Sequence, residues 1–86
     1  MADHFRLGLL QLALADRIDG EFAEAPMTLR LATAQALRVA EDTYGPGTYS
    51  EQVEHALVIS LPQVLPGDTR ADYATRLRLF AQGVAA

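Results

Sequence analysis

The stretch EDTYGPGTYSEQVEHAL, residues 41–57, contains the clearest boundary in the sequence. Its Gly-Pro-Gly, residues 45–47, separates two segments that have the apolar spacing of helices. Glycine can adopt the left-handed backbone conformation that ends many helices, and proline prevents a helix from continuing. Thr48 and Glu51 have the spacing of a capping box, in which each side chain binds the other residue's backbone amide. The stretch therefore predicts two helices joined by a tight turn.

Similar boundaries divide the rest of the 86-residue chain, because other glycines and prolines separate it into four segments with roughly helical periodicity. Pro26 suits the first position of a helix, and Asp68 suits an N-cap. We therefore predict one all-α domain over residues 1–86, either a compact four-helix bundle or an irregular helical array with short loops. The four helices are expected at about 3–18, 26–44, 48–61 and 69–82.

A second interpretation stays open for residues 26–32. Met27, Leu29 and Leu31 alternate with Thr28 and Arg30, which is the period of a β-strand. The window is too short to separate strand from helix, although the alanines that follow favour a helix.

The apolar side chains are spread widely for one small core. The first helix has two apolar faces, and residues 56–59 are apolar on all sides, so we expect this end of the third helix to be central. Such broad apolar surfaces predict a homodimer or a stable complex with a larger protein. The expected inward residues of the first helix are Leu7, Leu10, Leu14 and Ile18 on one face and Phe5, Leu9 and Leu12 on the other. Those of the fourth helix are Tyr73, Leu77, Phe80, Ala81 and Val84.

Charged residues are expected on the outer helix faces. Two pairs at i,i+4 spacing, Arg38 with Asp42 and Asp72 with Arg76, can form weak ion pairs. Three arginines of the fourth segment could form a patch, but solvated surface side chains are the simpler interpretation. These arginines are Arg70, Arg76 and Arg78.

The composition restricts the classes of partner and compartment. The net charge is −4, and all seven basic residues are arginines, so the chain as a whole repels nucleic acid and anionic membranes. There is no cysteine, which excludes disulfides and suits a reducing compartment. The apolar run at residues 7–15 is too short to cross a bilayer and lacks a basic region before it. We therefore expect a cytoplasmic protein.

The side chains suited to nucleophilic catalysis are poorly placed. The histidines are His4 and His55, and the serines are Ser50 and Ser60. Ser50 and His55 share a helix but are five residues apart, so they point about 140° away from each other. A serine–histidine pair at this spacing is improbable, and we expect no enzymatic activity.

The acidic residues between residues 16 and 24 do not form a calcium loop. If Gly20 were the invariant glycine of an EF-hand, Ala15, Arg17 and Pro26 would occupy ligand positions. Neither histidine has partners at the spacing of metal ligands. We expect no metal and no cofactor, and we interpret the acidic residues as solvating a loop. These residues are Asp16, Asp19, Glu21 and Glu24.

The segment 28–57 resembles the ribbon-helix-helix proteins, a fold of small bacterial repressors and antitoxins. TLRL would be the ribbon, ATAQALRVAEDTYG the first helix and SEQVEHAL the start of the second. The resemblance implies a dimer in which Thr28 and Arg30 face the major groove of DNA. The chain departs from that pattern in its longer loop and in the two helices that flank the segment. A helix-turn-helix is disfavoured, because the third helix would enter DNA with two glutamates and no basic residue.

The function that these patterns favour is a small acidic protein–protein interaction module, such as an adaptor, a regulatory subunit or an inhibitor of a larger protein. Tyrosine is common at interaction hot spots, so Tyr44 and Tyr49 are the leading candidates for partner contacts. The alternative is that they only pack on each other across the turn. Polar residues of the third helix, Glu51, Glu54 and His55, complete the candidate partner-binding set. A DNA-binding regulator of ribbon-helix-helix type is the second hypothesis, and no small-molecule substrate is indicated.

Overall fold

Four helices make up the computed structural model, which describes residues 6–83. They are α1 (Leu7–Asp19), α2 (Leu29–Tyr44), α3 (Thr48–Ile59) and α4 (Arg70–Ala81). The predicted all-α class is confirmed, since the described part of the chain has no strand and only one isolated antiparallel bridge, between Pro26 and Thr69. The expected start of the first helix near residue 3 and the expected positions of His4, Phe5 and Val84 lie outside the described residues.

The helices form a compact bundle with α1 at its centre. Helix α4 packs mainly on α1, whereas α3 packs mainly on α2, and α1 also contacts α2 and α3. Within residues 6–83 the backbones of α3 and α4 do not approach each other directly. The segment between them, residues 60–69, is called the connector below. It bridges the space that the two helices leave open.

The core is small because much of it is alanine. Alanines let the helix backbones approach closely, but they fill little volume. The buried apolar residues are Leu10, Leu14, Ala15, Ile18, Met27, Ala32, Ala36, Val39, Ala40, Val53, Leu57, Tyr73, Ala74 and Leu77. Leu10, Leu14 and Ile18 confirm one predicted face of α1. Leu9, on the other predicted face, is largely exposed.

Helix α2 begins three residues later than predicted. Thr28 is its N-cap, and the Thr28 hydroxyl oxygen accepts a hydrogen bond from the Leu31 amide at 3.1 Å. Pro26 is not helical, because it pairs with Thr69 in the isolated bridge. Residues 29–32 are helical, so the strand interpretation of this segment is wrong.

The turn between α2 and α3 depends on two glycines with positive φ angles. Gly45 has φ 80° and ψ 158°, and Gly47 has φ 140° and ψ −171°, a region that only glycine occupies without strain. The predicted capping box of Thr48 and Glu51 is wrong. Gly47 takes the N-cap position, which makes Thr48 the first helical residue, and no side chain caps this end of α3.

The connector is held by side chains of α4 and of the connector itself. The Tyr73 hydroxyl donates to the Pro62 carbonyl at 2.6 Å, and the Arg76 guanidinium donates to the Gln63 carbonyl at 2.8 Å. Arg76 also binds both carboxylate oxygens of Asp68, at 2.8 and 3.0 Å. The Asp68 carboxylate in turn accepts from the Leu65 amide at 2.7 Å. Hydrogen bonds within the connector and from the helix that follows it therefore fix its path.

A real capping box lies at the start of α4. The Thr69 hydroxyl accepts from the Asp72 amide at 3.0 Å, and the Asp72 carboxylate accepts from the Thr69 amide at 3.1 Å. The predicted N-cap, Asp68, is one residue too early, because its carboxylate is engaged by Arg76. The predicted pair of Asp72 with Arg76 is wrong for the same reason.

The loop between α1 and α2 supplies hydrogen-bond acceptors to the first turn of α4. The backbone amide of Arg70 donates to the Ala25 carbonyl and that of Ala71 to the Ala23 carbonyl, both at 2.9 Å. The amide of Met27 donates to the Asp68 carbonyl at the same distance. The first amides of α4, which no helix can satisfy internally, thus find acceptors in a distant loop.

Candidate functional site

Large apolar side chains remain exposed around the bundle. They are Leu9, Phe22, Leu29, Tyr44, Tyr49, Ile59, Leu65, Leu79 and Phe80. Two groups of apolar residues are spatially organised. One, called the tyrosine edge, consists of Tyr44 and Tyr49. The other, called the connector surface, consists of Leu29, Val58, Leu61, Pro62, Val64, Leu79 and Phe80.

At the tyrosine edge the two rings pack on each other across the glycine turn. Their centroids are 5.1 Å apart and their planes meet at 89°, a T-shaped arrangement that is favourable for aromatic rings. Packing leaves 38% of Tyr44 and 47% of Tyr49 exposed. The pair therefore stabilises the turn and also presents aromatic surface to solvent.

The other three candidate contact residues do not lie beside this edge. Glu51 and His55 are exposed neighbours at i,i+4 spacing on α3, whereas Glu54 is half-buried. Helical geometry places Glu51 about 160° around the axis from Tyr49. The five predicted residues therefore do not form one patch, since Tyr44 of α2 and Tyr49 meet at the turn while the other three lie around the far side of α3.

The connector surface contains two shallow depressions that share Pro62. One has a volume of about 400 Å³ and the other about 290 Å³. Gln63 and Arg76 are the polar residues that line them, and every other lining residue is apolar. The first depression is lined by Leu29, Val58, Leu61, Pro62, Gln63 and Val64. The second is lined by Pro62, Arg76, Leu79 and Phe80.

This surface carries no net charge. Residues 55–67 contain no aspartate, glutamate, lysine or arginine. The positive charge of Arg76 is matched by Asp68, and the hydrogen bond from Arg76 holds the pKa of that carboxyl below its usual 3.8, helped by the bond from the Leu65 amide. The same hydrogen bond raises the pKa of Arg76. The connector surface is therefore an apolar and electrically neutral area on an acidic protein.

The structure corrects the expected burial around this surface. Ile59, at the end of α3 that was expected to be central, is 72% exposed, whereas Leu57 in the same turn is fully buried. Phe80, expected to face inward, is 43% exposed. Tyr73 and Leu77, one to two turns earlier on α4, are fully buried as predicted.

Charged residues on the α1 side pair with each other across two helices. The Arg78 guanidinium bridges the carboxylates of Asp16 and Asp19, each at 2.9 Å, and ties α4 to α1. Hydrogen bonding from Arg78 lowers the pKa of Asp19 and, in return, the carboxylates raise the pKa of Arg78. Two of the acidic residues interpreted as loop-solvating thus hold two helices together.

Other predicted charge positions also differ. Asp42 accepts a hydrogen bond from Arg17 of α1 at 3.2 Å, instead of pairing with Arg38 as expected. Arg70 donates to the Glu21 carbonyl at 3.2 Å and lies 5.7 Å from the centre of the Phe22 ring. Arg70, Arg76 and Arg78 therefore each bind groups of the protein, and they do not form one solvated patch.

The residues examined for chemistry are not brought together. Ser50 is buried, and its hydroxyl donates to the Gly47 carbonyl at 2.9 Å, while His55 is exposed on the same helix. In residues 6–83 no group of three histidine, cysteine or acidic residues is arranged to hold a metal ion. The described helices include none with the length and apolar character needed to cross a membrane.

The two residues that the ribbon-helix-helix resemblance assigns to DNA contact are not on a ribbon. Thr28 caps α2, and Arg30 is an exposed residue of the first turn of that helix. The ribbon placement is therefore wrong, because the capped helix already uses the backbone of residues 29–31.

The chain matches no protein-family model, and no curated protein or solved structure is significantly similar to it. Its function therefore has to be argued from its own surfaces.

Sequence reasoning missed the connector surface. A signal was present, because HALVISLPQVLPG, residues 55–67, is free of charge yet contains two prolines that prevent it from being one buried helix. The apolar side chains of such a segment have to be buried against other parts of the protein or against a partner. Part of it is covered by α4, and part is exposed.

Proposed function

We propose that this protein is a non-enzymatic protein–protein interaction module that binds through its connector surface. An adaptor, a regulatory subunit or an inhibitor of a larger protein fits this description. The observation that carries the proposal is the neutral apolar area around Pro62, with its two depressions and its exposed leucine and phenylalanine side chains.

Apolar surface of this kind is typical of protein contacts. Monomeric proteins keep contiguous apolar patches small, and larger patches with polar rims mark interaction sites. The centre of an interface is also poor in charged residues and rich in aromatic ones. The connector surface is apolar and poor in charge in this way, with Phe80 as its aromatic residue and with Gln63 and the neutralised Arg76 as its polar groups.

The tyrosine edge supports the same function as a second contact. Its rings are already ordered by their mutual packing, so little side-chain entropy is lost when a partner binds them. Residues 39–54, which surround the tyrosine edge in the sequence, include four acidic residues and no lysine or arginine, which favours a partner with a basic contact surface at this edge. The absence of cysteine from the sequence supports the cytoplasm as the place of action.

A comparison of captured proteins tests this function. Immobilised wild-type protein is incubated with native lysate, and the retained proteins are quantified by mass spectrometry beside those retained by Leu29→Asp and Phe22→Asp. Leu29 is 62% exposed on the connector surface, and Phe22 is 72% exposed on the α1–α2 loop. We expect a defined partner that the wild type and Phe22→Asp retain and that Leu29→Asp loses.

The tyrosine edge is tested in the same assay with Tyr44→Ala combined with Tyr49→Ala, which should weaken retention of that partner. If no protein is enriched by the wild type, or if Leu29→Asp retains the partner fully, the connector surface is not its binding site.

A further inference from the structure

We propose that the occupant of the connector surface is a second copy of this chain, in a two-fold symmetric homodimer. The inference rests on the proposed function in taking this surface to be a protein contact, and it goes further by naming what covers it. Three properties of the described residues lead to it. They are the lack of charge on this surface, the shape of the surface and the small size of the core.

Lack of charge distinguishes this surface from the acidic faces of the molecule. A chain with net charge −4 repels its own copies over most of its surface. The connector surface is an exception, since residues 55–67 are uncharged and Arg76 is neutralised by Asp68 at 2.8 and 3.0 Å. Two copies can meet here without placing like charges opposite each other. The outer side of α3, with Glu51 and Glu54 and no basic residue, cannot pair with itself in this way.

The same neutrality disfavours a charged partner protein. A surface without net charge offers nothing with which to select a basic or an acidic ligand. An identical copy needs no such selection, because it brings the same apolar area to the contact. We therefore assign the connector surface to self-association, so that the protein bound there is a second copy of this chain.

The shape of the surface suits a two-fold symmetric contact. In such a contact each copy supplies both a projecting group and the site that receives it. Leu29, Leu79 and Phe80 are each between 43% and 62% exposed, and they border depressions of about 400 and 290 Å³ on the two sides of Pro62. A projecting side chain of one copy can enter a depression of the other, and the reciprocal contact follows by symmetry.

The modest core gives self-association a physical reason. Five of the fourteen buried apolar residues are alanines, while leucines and a phenylalanine stay exposed around the connector. Small domains bury a low fraction of their surface and often gain stability by association. A dimer would bury large side chains that the single chain cannot cover.

Sedimentation equilibrium of the purified full chain tests the inference. We expect a mass of twice 9.3 kDa at micromolar concentration, with dissociation on dilution. Leu29→Asp should raise the dimer dissociation constant at least about tenfold, because it places a charge in the interface of each copy. Residue 29 is the first residue of α2, where an aspartate is favourable to the helix, so this variant should stay folded.

A matched pair of variants separates the surface from a general effect of added charge. Phe80→Asp and Phe22→Asp make the same replacement at exposed sites near opposite ends of α4, since Phe80 is next to the last residue of that helix and Phe22 lies against Arg70, its first residue. We expect Phe80→Asp to dissociate the dimer and Phe22→Asp to leave it intact. Circular dichroism verifies that each variant is helical.

Several outcomes would overturn the homodimer. A wild-type chain that stays monomeric at high micromolar concentration excludes it, and so does a dimer that Leu29→Asp and Phe80→Asp leave unchanged. Equal loss with Phe22→Asp would assign the effect to net charge. A monomeric wild type whose captured partner is nevertheless lost with Leu29→Asp would retain the proposed function and make that partner the occupant.

Discussion

The two connections in the second half of the chain are built in opposite ways. The turn between α2 and α3 takes three residues, and its path is set by the backbone conformations of Gly45 and Gly47. The connector between α3 and α4 takes ten residues, and its path is set by hydrogen bonds from Tyr73 and Arg76 and by the Asp68 carboxylate. The first is a local property of its own sequence. The second exists only when α4 is in place, which makes the exposed connector surface a product of tertiary structure.

The largest expected loss of stability comes from replacing Tyr73, which holds the connector. Tyr73 is fully buried, so Tyr73→Ala should lower the free energy of unfolding by about 3–5 kcal/mol, as truncation of a buried aromatic residue does. Tyr73→Phe keeps the ring but leaves the Pro62 carbonyl without its donor, and should cost about 1–3 kcal/mol. Urea unfolding followed by circular dichroism measures both.

Tyr49→Ala is the control for this pair, because Tyr49 is 47% exposed and its ring packs against that of Tyr44. We expect it to cost less than about 1.5 kcal/mol. A Tyr73→Phe variant as stable as the wild type would show that the hydroxyl does not hold the connector.

A smaller effect is expected at the glycine turn. Gly45→Ala and Gly47→Ala place a side chain at φ 80° and φ 140°, and each should cost of order 1–3 kcal/mol in unfolding free energy. The strain is conformational, because a Cβ at either position meets no atom within 4 Å. Pro46→Ala is the control and should change stability by less than about 1 kcal/mol. Equal stability of all three variants would mean that the turn can adopt another path.

The smallest effect compares two threonines that look alike in the sequence. Thr69 caps α4 and Thr48 caps nothing, so Thr69→Ala should cost about 1 kcal/mol and Thr48→Ala should cost less than about 0.5 kcal/mol. Thermal unfolding of the two variants under identical conditions measures the difference. A cost for Thr48→Ala equal to that for Thr69→Ala would contradict the assignment of Gly47 as the cap of α3.

These two threonines show how far the sequence could lead. The helix count, the class and the tight turn were predictable because apolar periodicity and glycine-proline breaks are local signals. The caps were not. Thr48 and Glu51 satisfy the spacing of a capping box, yet Gly47 is the N-cap of α3 and Thr48 is already helical. At α4 the choice between Asp68 and Thr69 depends on Arg76, eight residues after Asp68.

The candidate site was predictable only in part. Tyr44 and Tyr49 flank a recognisable turn, so their proximity followed from the sequence. The connector surface did not, because periodicity cannot tell whether an apolar residue such as Ile59 or Phe80 meets a neighbouring helix or solvent. That depends on how α3 and α4 are spaced around α1, which is a global property of the bundle.

The carbonyl acceptors that the α1–α2 loop offers to α4 bear on how the chain folds. The Arg70 amide and its acceptor, the Ala25 carbonyl, belong to residues 45 positions apart, so their hydrogen bond closes a long segment of chain at a cost in entropy. An isolated helix of 12 residues is marginal in water. We therefore expect α4 to form late and together with this loop, in one cooperative step. Opening of the loop should then expose the amides at the start of α4 to hydrogen exchange before those of α2.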